Sequence, residues 1–298
     1  MATGFFTDTT LCIGCKACEV ACKQWNQLPA DGYEMSGMSY DNTVTLSATS
    51  WRHVAFIEEM ATKPRLPMAA TTTAPRATPP AADGGSGEGF KLLNLDGQAA
   101  IQVGFPETSR WLMMSDVCKH CTHAGCLEAC PTGALVHTEF GSVYLQPDIC
   151  NGCGYCIPAC PFGVVALQEN DGRAFKCTLC YDRQKDGLEP ACAKACPTDS
   201  IIFGEIEELK QRAHQRVAQL HQEGASEAYL YGADEQTEVG DLNAFFLLTA
   251  SPETYGLPQK PFLPQARVWQ GYLGSALTTV GLSLAAGLFA LWRKGGKA

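Results

Sequence analysis

A chain of 298 residues, 46% of them hydrophobic, is long enough for one to three globular domains. Its 22 basic and 31 acidic residues leave a formal charge of −9, which argues against a nucleic-acid partner, since phosphates attract basic surfaces. Residues 1–8 lack a basic region, an apolar core and a twin arginine, so no export signal is expected on this chain.

In chain order, Cys12, Cys15, Cys18 and Cys22 are spaced x2, x2, x3 and run into a short helical turn over 19–25. Residues 52–57 read as a strand. Residues 61–89 are rich in Ala, Thr, Pro and Gly, bury too little apolar surface to fold alone, and are expected to form an exposed loop. A strand over 110–116 feeds Cys118, Cys121, Cys126 and Cys130, spaced x2, x4, x3. Apolar and polar residues alternate over 134–137 and 142–145 around Glu139-Phe140-Gly141, which predicts a hairpin.

The most informative stretch follows: Cys150, Cys153, Cys156 and Cys160, spaced x2, x2, x3, with Pro161 next. A second hairpin is expected where 164–168 and 173–176 flank Asn170-Asp171-Gly172. Cys177, Cys180, Cys192 and Cys196 are spaced x2, x11, x3. An amphipathic helix over 205–223 carries Ile206, Leu209, Ala213, Val217 and Leu220 on its apolar face, with Gly224 suited to its C-cap. Residues 244–248 read as a buried strand and 252–264 as a Pro-punctuated linker. Residues 271–292 then run 22 residues without a charge, enough to cross a hydrocarbon core, and a transmembrane span is expected there.

The four quartets use all 16 cysteines. C-x2-C-x2-C-x3-C-P is the run that holds cubane iron–sulfur clusters. Three thiolates two residues apart wrap three corners of one cluster, while the fourth, three residues on, points to a neighbouring cluster. Sixteen thiolates at four per cubane correspond to four [4Fe–4S] clusters. A template recurs downstream in Cys130-Pro131-Thr132-Gly133, Cys160-Pro161-Phe162-Gly163 and Cys196-Pro197-Thr198-Asp199; Lys23 after Cys22 departs from it. Disulfides suit short secreted domains, and zinc prefers separated C-x2-C pairs over triplets. A zinc-binding interaction scaffold is therefore the alternative of another class, and a free polyferredoxin a third reading that the apolar tail disfavours. His120 and His123 lie in a quartet that already has four cysteines, and are expected as outer donors or surface residues.

The expected fold class is α+β: two ferredoxin-like [4Fe–4S] domains with long insertions, plus a C-terminal transmembrane helix. The first and fourth quartets form an outer domain (1–60 and 165–250), and the second and third an inner one (90–164). The 61–89 loop, a 251–270 linker and the 271–292 anchor complete the chain. With exchange of the fourth cysteine, Cys12, Cys15, Cys18 and Cys196 hold one cluster, and Cys22, Cys177, Cys180 and Cys192 its neighbour. In the inner domain, Cys118, Cys121, Cys126 and Cys160 hold one, and Cys130, Cys150, Cys153 and Cys156 the other.

These quartets resemble the four-cluster electron-transfer (beta) subunits of complex iron–sulfur molybdoenzymes. The resemblance is carried by Cys12-Ile13-Gly14-Cys15-Lys16-Ala17-Cys18 with Trp25-Asn26, by residues 116–126, by Cys177-Thr178-Leu179-Cys180-Tyr181-Asp182-Arg183, and by residues 189–197. It covers almost the whole chain and is greatest to the formate dehydrogenase beta subunit; the 61–89 insert departs from the family pattern. The resemblance implies a non-catalytic wire, carrying electrons from a molybdopterin or tungstopterin catalytic subunit to a cytochrome b-like or other quinone-reducing membrane subunit. Dimethyl sulfoxide, polysulfide, nitrite and nitrate reductases are the alternative hosts. Lys16, Lys23, Lys119, Lys176 and Lys194 lie near cysteines, and either raise local potentials or are solvated surface lysines. Arg293, Lys294 and Lys297 after the apolar stretch, against Lys260 and Arg267 before it, favour a cytoplasmic C-terminus and periplasmic cluster domains. A cytoplasm-facing arrangement is the alternative.

Overall fold

The computed structural model describes residues 1–32, 35–38, 40–60, 108–234 and 237–295. In chain order its first elements are β1 (Thr3–Asp8), α1 (Ala17–Trp25), β2 (Arg52–Met60), β3 (Thr108–Val117), α2 (Gly125–Glu128), β4 (Leu135–His137) and β5 (Val143–Leu145). They are followed by β6 (Ala166–Leu167), β7 (Ala174–Phe175), α3 (Tyr181–Lys185), α4 (Ala191–Lys194), β8 (Ile201–Glu205) and α5 (Ile206–Gln222). Strands β9 (Tyr229–Tyr231) and β10 (Ala244–Leu248) and helix α6 (Val268–Gly295) complete the set. The chain divides into two compact units, Met1–Ile57 with Met113–Ala298, and Glu58–Leu112. In the second, only the ends are described, where Arg110 Nε meets Glu59 at 2.5 Å. The expected loop over 61–89 lies outside the described residues.

The larger unit is built on a four-stranded sheet in the order β8-β1-β10-β9. Strand β1 runs parallel to β10, with Phe6 opposite Phe245, and antiparallel to β8, with Phe5 opposite Phe203. All five residues of β10 are buried, the uninterrupted apolar run of a strand covered on both faces. Gly4 is required at the β1–β10 seam: a Cβ there would stand 1.9 Å from the Asn243 carbonyl oxygen. Helix α5 follows β8 directly and buries Ile206, Leu209, Ala213 and Leu220, with Val217 half-buried. Each such side chain removed from water contributes roughly 1.5–3 kcal/mol, less for alanine. The helix ends at Gln222 with Glu223 as its C-cap, and Gly224 takes a φ of 100° beyond it.

The expected hairpins are present as β4–β5, with Leu135 opposite Leu145, and β6–β7, with Ala166 opposite Phe175. The strand expected over 52–57 extends to Met60, and that over 110–116 widens to Thr108–Val117; β2 and β3 pair as a two-stranded sheet. Three strands were not expected from the sequence: β1, β8 and β9. Strands β1 and β8 pair with each other across most of the chain, and β9 has only three residues, so no local period marks any of them.

The expected membrane span requires a correction. Residues 271–292 do lie in one continuous helix, α6, of 28 residues. Yet among the described residues no helix is long and apolar enough to cross a membrane. Gly271, Gly274, Gly281 and Gly287, with Ser275, Thr278, Thr279 and Ser283, lie among the apolar side chains of this helix.

Candidate metal centres

Each quartet starts with the same backbone device. The residue two past the first cysteine is left-handed in all four: Gly14 (φ 67°), His120 (46°), Gly152 (72°) and Leu179 (57°). A left-handed residue in such a loop turns successive N–H groups to one side, forming a concavity suited to anions and iron–sulfur groups. Glycine is required at two of these positions. A Cβ on Gly14 would lie 2.6 Å from the Phe56 ring, and one on Gly152 would lie 2.2 Å from the Gly172 carbonyl oxygen. The Cys-Pro template shows a second shared feature, since Gly133, Gly163 and Asp199 are all left-handed.

Strand pairing then decides which thiols meet. Cys12 lies just after β1 and Cys196 just before β8, so antiparallel pairing of these strands brings them together. Asp8 N donates to Ser200 O at 2.8 Å, and Ser200 Oγ to Asp8 O at 2.7 Å, closing that end. Cys12, Cys15, Cys18 and Cys196 line one small cavity. Cys22 sits within electrostatic reach of Cys177, Cys180 and Cys192. A second small cavity is lined by Cys118, Cys121, Cys126 and Cys160. The β4–β5 hairpin joins Cys130 to the third triplet, and Cys156 is close to Cys130, Cys150 and Cys153. Cys177 also feels Cys118, so the set containing Cys177 adjoins the set containing Cys118.

No disulfide forms among these cysteines. Burial pushes the thiols of Cys18 and Cys156 up to about 11, and those of Cys126 and Cys180 up to about 12. Metal binding would have to displace those protons. Several sulfurs already receive donors. Ser115 Oγ lies 3.1 Å from Cys18 Sγ, Leu179 N donates to Cys177 Sγ at 3.3 Å, and Ala174 N donates to Cys150 Sγ at 3.5 Å. Thr132 and Thr198, two residues past Cys130 and Cys196, bring hydroxyls to 3.5 and 3.8 Å of those sulfurs.

The five lysines noted in the sequence separate in the structure. Lys16 pairs with Asp41 at 3.2 Å, Lys23 with Asp31 at 2.7 Å, and Lys119, fully buried, with Asp116. Lys194 is exposed. Lys176 is buried, and its Nζ donates to the carbonyls of Val143 and Cys177. His120 is buried, with Nδ1 accepting from Val143 N at 3.1 Å, while burial and nearby Lys176 hold it well below the usual imidazole range. The ring is therefore neutral, with its proton on Nε2, which has no partner among the described residues. His123 is exposed.

One residue that the spacing did not single out is Arg52, buried next to Cys18, Cys22, Cys177 and Cys192. It stands outside every motif; only its position at the start of a strand whose next residues are buried would have drawn attention to it.

The donor set suits an iron–sulfur cubane. Thiols from two quartets surround each small cavity, sulfur acceptors already meet N–H and hydroxyl donors, and Arg52 and His120 present unpartnered N–H groups. Among the described residues, no group of three or more His, Cys, Asp or Glu converges to hold a single metal ion. Fold and site together define a ferredoxin-like iron–sulfur protein. Two families, each described as a 4Fe-4S dicluster domain, match the chain over residues 11–134 and 109–206. The formate dehydrogenase iron-sulfur subunit of Haemophilus influenzae is 36% identical over 93% of this chain and 76% of its own length. The iron-sulfur subunit of the nitrate-inducible formate dehydrogenase of Escherichia coli K12 is 36% identical over 89% of this chain and 76% of its own. A subunit of the anaerobic dimethyl sulfoxide reductase of the same organism is 29% identical over 70% of this chain and 76% of its own. The chain belongs to the family of formate dehydrogenase iron-sulfur subunits.

Proposed function

We propose that the chain is an electron-transfer subunit with four [4Fe–4S] clusters, relaying electrons from a molybdenum or tungsten formate dehydrogenase catalytic subunit to a quinone-reducing, cytochrome b-like membrane subunit. The observation that carries this reading is the gathering of Cys196 with Cys12, Cys15 and Cys18 around one cavity, as fourth-cysteine exchange requires. The four ligand sets are then Cys12, Cys15, Cys18 and Cys196; Cys22, Cys177, Cys180 and Cys192; Cys118, Cys121, Cys126 and Cys160; and Cys130, Cys150, Cys153 and Cys156. The first two sets constitute an outer ferredoxin-like domain and the last two an inner one. When bound, each cluster supplies a site that takes up and returns one electron. The protein's own residues exclude water from the thiols, direct N–H and hydroxyl donors at sulfur, and set the local charge. Likeness to the dimethyl sulfoxide reductase subunit supports a second reading, the same relay role serving another molybdoenzyme.

Helix α6 is proposed as the contact with the membrane subunit. Leu273, Leu277, Val280, Leu282 and Leu284 are exposed along it. The hydroxyls of Ser275, Thr278, Thr279 and Ser283 all donate to carbonyls one turn back within the helix, which leaves them satisfied at an apolar contact. Small residues recur every fourth position from Gly271 through Ser275, Thr279 and Ser283 to Gly287, a spacing that lets a partner helix approach closely. A periplasmic location of the thiol-bearing unit is part of this proposal, with a cytoplasm-facing arrangement as the alternative.

Iron analysis of anaerobically purified protein tests the relay: about sixteen iron atoms per chain are expected, with little zinc. A ratio near four or eight refutes four clusters. Protease added to intact spheroplasts tests the location: cleavage within residues 61–89 is expected, and full protection until lysis refutes it.

A further inference from the structure

Arg52, at the start of β2, is 2% exposed. Its Nη1 donates to Ser115 O at 3.3 Å and lies 3.0 Å from Ser115 Oγ, and its guanidinium lies 4.8 Å from the centre of the Phe5 ring. Its Nε and Nη2 are buried and without a partner among the described residues. No carboxylate among the described residues pairs with it. Lys16, Lys23 and Lys119, by contrast, each have a carboxylate that offsets their charge.

A guanidinium cannot shed its proton. Burying one without a counter-charge is costly, and an unpaired buried N–H adds to the cost. The groups available to offset both are the sulfurs. Cys192, Cys18, Cys177 and Cys22 lie within electrostatic reach of Arg52, and they come from two different ligand sets. Ser115 ties the arrangement together, since its Oγ reaches both Arg52 and Cys18 Sγ.

We infer that Arg52 is a redox-tuning positioning residue shared by the two outer centres. It fixes a positive charge between the centre of Cys12, Cys15, Cys18 and Cys196 and that of Cys22, Cys177, Cys180 and Cys192, and leaves two N–H groups for their sulfurs. The inference rests on the reading that clusters occupy those thiol sets. Reduction adds one electron, and so one negative charge, to a centre; a fixed cation stabilises the reduced state and raises the potential. Arg52 itself is neither oxidised nor reduced and transfers no proton.

The test is a potentiometric titration followed by EPR on the full chain in its complex, purified anaerobically, comparing wild type with R52M and R52K. R52M is expected to lower the equilibrium constant for reduction of both outer centres at least tenfold, about 59 mV for one electron. R52K keeps the charge and is expected to recover half or more of that shift, while the two inner centres move by less than half of it. Unmoved potentials in R52M with full iron overturn the inference. If R52M fails to retain iron, pulsed EPR on protein labelled with 15N in its arginine side chains decides. A nitrogen coupling on an outer centre of wild type that is lost in R52K supports the role, and its absence from wild type overturns it. Failure of the underlying reading looks different: wild-type iron near four or eight removes the centres themselves, whereas sixteen iron with unmoved potentials removes only the role of Arg52.

Discussion

The inner and outer thiol sets use one motif but are assembled in opposite ways. The inner sets come from neighbouring quartets joined by the β4–β5 hairpin, where Leu135 faces Leu145. The outer sets join the first quartet to the last, and depend on β1 pairing with β8 and β10 across most of the chain. Closing a longer loop costs only slightly more entropy, since the cost grows with the logarithm of length. The difference therefore lies less in the thiols than in their support. A hairpin supports the inner sets; a sheet with a buried aromatic seam, Phe6 stacked on Phe245 at 5.4 Å, supports the outer ones.

The largest expected effect comes from removing a thiol that crosses between quartets. Cys196→Ser should perturb the centre of the N-terminal triplet and lower iron by about a quarter, leaving the inner centres intact. EPR checks this; damage confined to the centre of Cys177 and Cys180 would mean that the fourth cysteines do not exchange.

Gly4→Val addresses the sheet without touching a thiol. Its side chain would meet the Asn243 carbonyl, since even a Cβ stands 1.9 Å away. A loss of about 3 kcal/mol is expected, with the outer centres releasing iron before the inner ones. Chemical denaturation with iron release followed in parallel measures both, and simultaneous release from all centres would remove the contrast between the two assemblies.

Gly152→Ala is the matching change in the inner sets. It combines a φ of 72° with a Cβ 2.2 Å from the Gly172 carbonyl oxygen. About 2 kcal/mol should be lost, with the order of iron release reversed relative to Gly4→Val.

The smallest effect concerns Asp41, which supports the loop after α1. Burial alone would raise its carboxyl, but His53 at 2.8 Å, the Val44 N–H and Lys16 outweigh that and hold it below the usual range. A depressed carboxyl stabilises above its unfolded value of about 3.9, and that contribution is lost as pH falls through the folded value. Asp41→Asn should cost about 1–2 kcal/mol at pH 7, and the difference from wild type should shrink at about pH 3. Paired denaturation curves at the two pH values measure it; a difference independent of pH would assign the effect to packing.

Much of the site was legible in the sequence because iron–sulfur chemistry writes its needs locally. The spacings of the quartets, the Cys-Pro template and both hairpins follow from residues within a few positions of one another. Gly14 and Gly152 mark left-handed positions that the sequence discloses, whereas His120 and Leu179 take the same conformation without glycine to announce it.

The cysteine pattern and the apolar face of α5 were thus determined by the sequence itself, since a motif or a helical period is complete within its own stretch. Tertiary structure decided the rest. Residues 3–8 become a central strand only because residues 201–205 and 244–248 pair on either side. Lys119 and Lys176 are buried while Lys194 is exposed, although each lies close to cysteines in sequence. Arg52 belongs to no motif, and its place beside Cys18, Cys22, Cys177 and Cys192 exists only once both ends of the chain have met. Short-range spacing marks the thiols; which of them gather in the outer sets, and the charge around them, arise from contacts between distant segments, which no local pattern records.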